Sequence, residues 1–111
     1  MYPAFCTIPR QTAYADPIFA LASERLRGGW PGLILAVRGD VAEVLIAADG
    51  AVVQVAGAEV TPRLPDDVAL DLMDAVEEAI EDAQELGDRS RAARLEATLA
   101  LLERALDDGG S

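Results

Sequence analysis

Between Leu33 and Ala56 short apolar runs, broken at Gly39-Asp40 and Asp49-Gly50, send alternate side chains to opposite faces when extended, a period of two. After Pro65 the apolar positions instead recur every third and fourth residue. The first period is that of strands and the second that of amphipathic helices. Leu33 to Arg38, Val41 to Ala47 and Ala51 to Ala56 read as three strands. Gly39-Asp40 and Asp49-Gly50 mark tight turns between them, with glycine supplying the backbone freedom. This predicts an antiparallel β-meander. Simple alternation places Leu33, Leu35, Val37, Val44, Ile46, Val53 and Val55 on one face. The other face is mixed: Arg38, Glu43 and Gln54 with Ile34, Leu45 and Val52. The first helix or a second subunit would cover part of it.

Asp16-Pro17 reads as a helix start, a side-chain acceptor followed by proline at the first helical position. The expected helix runs to about Arg27. Gly28-Gly29 would end it, and Trp30-Pro31-Gly32 would turn the chain. Met1 to Ala15 is ambiguous: the residues between Pro3 and Pro9 fit a short edge strand or an extended arm.

The prolines of Thr61-Pro62-Arg63-Leu64-Pro65 make a stiff connector. A long helix is expected from Asp66 to Leu86, with Leu72, Met73, Val76, Ala79, Ile80 and Ala83 on its apolar side. Gly87 and Asp88 separate it from a second helix, Arg89 to about Leu106. That helix carries the seam Ala92, Leu95, Leu99, Leu102 and Leu106. Leu70 and Leu101 point elsewhere, as stray exposed leucines or as part of a homodimer contact. Asp107 to Ser111 reads as a frayed tail.

The fold class expected is therefore α+β: an N-terminal helix, a three-stranded antiparallel β-meander and a C-terminal antiparallel helical hairpin. The 111 residues make one domain, with helix and meander over 16–60 and the hairpin over 66–107.

Charge changes this picture most. The net charge is −11. Residues 1–65 hold six acids against five arginines, a net of −1, whereas residues 66–111 hold fourteen acids against four arginines, a net of −10. At 100° per residue, Asp67, Asp71, Asp74, Glu78, Glu81, Glu85 and Asp88 fall within an arc of about 100° opposite the apolar side. No basic residue occurs between Arg63 and Arg89. These seven acids are the expected partner-binding residues.

Composition narrows the chemistry. The chain has no Lys, His or Asn; all nine basic residues are Arg. It thus lacks the usual neutral-pH acid/base, the commonest metal ligand and a Schiff-base amine. Ser23, Ser90 and Cys6 have no His to activate them, and Cys6 has no disulfide partner. No catalytic, cofactor-binding or metal-binding residue is assigned, and no cofactor is expected. The first ten residues show no signal peptide, and the apolar runs are too short for a bilayer, so a cytoplasmic protein off the membrane is expected.

The function expected is a non-enzymatic acidic binding protein of inhibitor or immunity type, whose partner is a protein with a basic surface. Carboxylates stepping about 4.5–6 Å along a helix approach the spacing of about 3.4 Å between phosphates of one DNA strand. A nucleic-acid mimic is therefore geometrically accessible, while direct nucleic-acid binding is not expected. The plain alternative is a solvated face that keeps the chain soluble.

Two resemblances offer other functions. Asp74-x-x-Glu77-Glu78-x-x-Glu81-Asp82 resembles the metal-binding helix of all-α nucleoside triphosphate pyrophosphohydrolases, which implies Mg²⁺ chemistry. Glu96, Glu103 and Asp107 do not reproduce the second acidic pair of that family, and the meander is foreign to it. Over residues 16–86 the order helix, three strands, helix resembles acidic type III secretion chaperones, which implies a dimeric adaptor. No motif carries that second resemblance.

Overall fold

In a computed structural model, residues 3–10, 16–23 and 29–109 are described. The order is β1 (Ala4–Pro9), α1 (Pro17–Ser23), β2 (Gly29–Arg38), β3 (Val41–Leu45), β4 (Val52–Ala56), a short 3-10 turn (Gly57–Glu59), α2 (Asp66–Glu85) and α3 (Arg89–Gly109). The architecture is α+β, as expected. The sheet, however, has four antiparallel strands in the order β1-β2-β3-β4, so the three-stranded meander is incomplete.

The added strand is the segment between Pro3 and Pro9. It pairs with β2 from Ala4 opposite Ile34 to Pro9 opposite Gly29. Trp30-Pro31-Gly32 is accordingly not a turn but part of the first half of a ten-residue strand. Proline is tolerated there for a reason visible in its partner. Thr7, opposite Pro31, points its backbone N–H and C=O away from β2 toward Thr61. Pro31 faces a position that asks for no hydrogen bond. Gly29, expected to end the first helix, opens β2 instead. The remainder of the predicted helix, 24–28, lies outside the described residues.

The two faces of the sheet also differ from simple alternation. Residues paired across antiparallel strands share a face. Leu33 pairs with Leu45 and Ile34 with Val44, while Val44 pairs with Val53 and Ala42 with Val55. Ile34 therefore belongs with Val44, Ile46, Val53 and Val55, and Leu33 does not. An irregularity between Ile34 and Ala36 then shifts the phase of β2 at Leu35.

Each face has its own core. Leu33 and Leu45 join Ile18 and Phe19 of α1, Val68, Leu72 and Val76 of α2 and Leu95 and Leu102 of α3. Phe5 and Leu35 pack against this cluster. The opposite face buries Cys6, Ile8, Ile34, Val44, Ile46 and Val55 against Trp30, Val53 and Val60, with no helix among them. A flat sheet cannot bury a face that nothing covers, so this one curls around itself. The curl closes where Thr61, just beyond β4, forms an antiparallel bridge with Thr7. Gly32 lies inside this curl: a Cβ there would come within 2.6 Å of Val44 Cγ1.

Asp16 caps α1, accepting from the Ile18 N–H at 2.9 Å, and its own N–H donates to the Ile46 carbonyl at 3.2 Å. This fixes α1 to the end of β3. The hairpin is fixed elsewhere. Thr98 of α3 is buried, and its hydroxyl donates to the Ala48 carbonyl in the turn between β3 and β4.

Candidate functional site: the acidic face of α2

The sequence dictates which side of α2 faces out. Val68, Ala69, Leu72, Val76, Ile80 and Ala83 are buried, and Met73 and Ala79 pack partly against the same core. Burying a Val, Leu or Ile contributes about 1.5–3 kcal/mol per side chain. Like charges three or four positions apart on a helix cost about 0.2–0.5 kcal/mol per pair. The buried face outweighs the repulsion across the exposed one. Asp66 and Asp67, in the first turn, also meet the positive end of the helix dipole.

Asp67, Asp74, Glu78, Glu81, Glu85 and Asp88 are exposed, and Asp71 is half-buried. The twenty residues of α2 extend about 30 Å at 1.5 Å per residue. The acids from Asp67 to Glu85 thus occupy one continuous solvent-facing side of one rigid element. Glu77 and Asp82, which flank the row, are exposed as well.

Asp88 stands apart. It lies beyond α2, in the turn, where it joins the two helices. Its N–H donates to the Ala83 carbonyl at 2.9 Å, while Gly87, at φ 74°, donates to Gln84 at 3.1 Å. Together these bonds close the C-terminus of α2. Its Oδ1 in turn accepts the Arg91 N–H at 3.1 Å, capping α3. The carboxylate that sequence periodicity added to the row is employed in the turn.

The remaining chemistry is sparse. Among the described residues, no three His, Cys, Asp or Glu side chains are placed to share a metal ion. A groove of about 420 Å³ opens beside the turn, lined by Gln84, Gly87, Arg89, Ala92, Ala93 and Glu96; its one carboxylate, Glu96, has no second acid beside it in that lining. The Cys6 thiol is buried inside the curled sheet, and burial pushes its pKa from 9.0 up to about 12. The thiolate is the reactive form, so this residue packs rather than reacts. No helix of the described residues is long and apolar enough to cross a membrane.

Leu101, expected to point away from the core, packs partly against it. Leu70 does stand exposed. A face that sequence reading passed over is the outer edge of β4, where Val52 is 46% exposed beside Gln54 and Ala56. Its signal was present in the run Ala51 to Ala56, which holds neither charge nor proline.

Fold and surface together define an α+β protein with a curled sheet, a packed helical hairpin and an acidic helix face. No protein-family model, curated protein or solved structure matches the chain.

Proposed function

We propose that the protein is a non-enzymatic binding protein that docks the acidic face of α2 on a basic surface of a partner protein, in the manner of an inhibitor or immunity protein. The observation that carries this reading is the row of acids from Asp67 to Glu85, all exposed but the half-buried Asp71, on a helix with no basic residue from end to end. A face selected for solubility alone tolerates interleaved Arg, which relieves the repulsion along the helix. A face that meets cations does not. Concentrated negative charge also accelerates encounter with a basic partner, in a salt-sensitive way.

The test is a triple reversal, Asp74→Arg, Glu78→Arg and Glu81→Arg. All three residues are exposed, so the melting temperature should hold. Cross-linking and mass spectrometry in the source cell should identify a partner with a basic surface. Its binding to purified wild-type protein should weaken with added salt and disappear with the triple variant. Undiminished binding by that variant would leave the row with solvation as its only role.

A further inference from the structure

We infer that β4 is a self-association edge, through which two copies of the chain pair antiparallel about a two-fold axis at Gln54.

The hydrogen-bond parity of the sheet shows what the edge offers. Ile46 donates to the Ala51 carbonyl, and Gly57 donates to the Asp40 carbonyl at the other end of the strand. In an antiparallel ladder hydrogen-bonded pairs recur at every second residue. Ala51, Val53, Val55 and Gly57 therefore turn their backbone groups toward β3. Val52, Gln54 and Ala56 turn theirs outward. β3 is the one strand paired with β4 among the described residues.

Exposed edges are ordinarily guarded by charge, proline or a bulge. From Ala51 to Ala56 there is no charge and no proline, and the register with β3 is regular. Of the usual guards only shortness remains: the strand is five residues long.

The strand is also complementary to itself. A two-fold axis at Gln54 sets Val53 against Val55, Val52 against Ala56, and Gln54 against its own copy. All three outward-facing residues then meet outward-facing residues, so each opposed pair exchanges two backbone hydrogen bonds. Cross-strand rows extend the match. Val41 pairs with Ala56 and Leu45 with Val52 within one copy. The joined sheet therefore aligns Val41, Ala56, the second copy's Val52 and its Leu45 in one row. This shelters Val52, which is 46% exposed in the single chain, beside the second copy's Ala56.

Charge favours a second copy over a charged peptide. The edge is neutral, whereas the net −10 of residues 66–111 is carried on the helices, with which β4 forms no substantial packing. The paired residues are themselves neutral, while Asp49 and Glu59 at the two ends of the strand fall opposite each other across the axis, so pairing should tighten with added salt. A contact of one short strand buries less than the roughly 1,000 Å² typical of a stable interface, so the pairing should be weak and transient.

Sedimentation equilibrium from about 0.02 to 2 mM tests the state, and amide exchange at both ends of that range locates the contact. The wild type should dimerise with rising concentration. The amides of Val52, Gln54 and Ala56 should gain protection, while those of Val53 and Val55 are protected throughout. Gln54→Pro removes one outward donor and Val52→Lys restores an edge charge; neither touches a bond to β3. Either variant, if folded, should stay monomeric across the range. A monomeric wild type at 2 mM, unchanged protection at the three outward amides, or dimers that persist in both variants would overturn the proposal. None of these readouts depends on the acidic face of α2.

Discussion

Thr7 and Thr61, fifty-four positions apart, exchange two backbone hydrogen bonds: Thr7 N–H to the Thr61 carbonyl at 2.8 Å and Thr61 N–H to the Thr7 carbonyl at 2.9 Å. The Thr7 hydroxyl adds a third bond, to the Arg63 carbonyl at 2.8 Å. This clasp turns a four-stranded sheet into a curled shell with an interior. Thr61 is exposed, yet its amide should exchange with solvent as slowly as those inside β1, because release requires the sheet to uncurl. Residue-resolved hydrogen exchange measures this directly; fast exchange at Thr61 would mean that the clasp opens independently.

Gly32→Ala should destabilise the fold by about 1–3 kcal/mol, since the added methyl enters a space already filled by Val44 and Cys6. Urea unfolding of the variant against wild type gives the figure. An unchanged midpoint would show that the shell has room to spare.

Asp88→Ala should cost about 1 kcal/mol, the usual worth of a helix cap. Glu78→Ala and Glu81→Ala should be neutral or stabilising by a few tenths of a kcal/mol, because each relieves like-charge neighbours. Chemical denaturation of the three variants separates the acid that builds the turn from those that only face solvent.

Thr98→Val keeps the shape of the side chain but leaves the Ala48 carbonyl without its donor. The expected loss is about 1–3 kcal/mol. Thr98→Ser, which retains the hydroxyl, should recover most of it. A loss in Thr98→Ser with none in Thr98→Val would assign the effect to the methyl group instead.

Cys6 makes stability depend on alkaline pH. Burial pushes its folded pKa up to about 12, above the ordinary 9.0 of an exposed thiol. The contribution is therefore fully present below pH 9 and is lost as pH rises toward 12, where the unfolded chain ionises first. The fall in unfolding free energy from pH 9 to 11 should be shallower in Cys6→Ala. In the wild type the thiol should resist alkylation at pH 8 until denaturant is added.

The helices were legible because their signals are local. Asp16-Pro17, the three- and four-residue spacing from Val68 to Ala83, and Gly87-Asp88 each specify geometry within a few positions. The turns at Gly39 and Gly50 were legible for the same reason: both glycines adopt positive φ. β1 was not, because six residues between prolines become a strand only when β2 arrives beside them. Nor was the pairing of Leu33 with Leu45 rather than with the Val44 face, since strand period fixes alternation but not the phase between strands. The runs Leu33 to Val37 and Val44 to Ala48 held a usable hint. Strands apolar on consecutive positions are covered on both sides, and here one cover is the sheet itself. Of the acidic row, Asp67, Asp74, Glu78, Glu81 and Glu85 are exposed as helical periodicity implies, while Asp71 is half-buried. Asp88 was not separated from the row, because a cap and a surface charge look alike until the turn closes.

The partition of charge between a near-neutral sheet and a hairpin of net −10 gives the molecule a polarity as a whole. In an external field it carries a torque as well as a force. Near a cationic surface it will rotate until the hairpin leads, before any side chain touches. The neutral β4 edge would then trail, still open to a second molecule. Orientation in solution is thus written into where the arginines are absent.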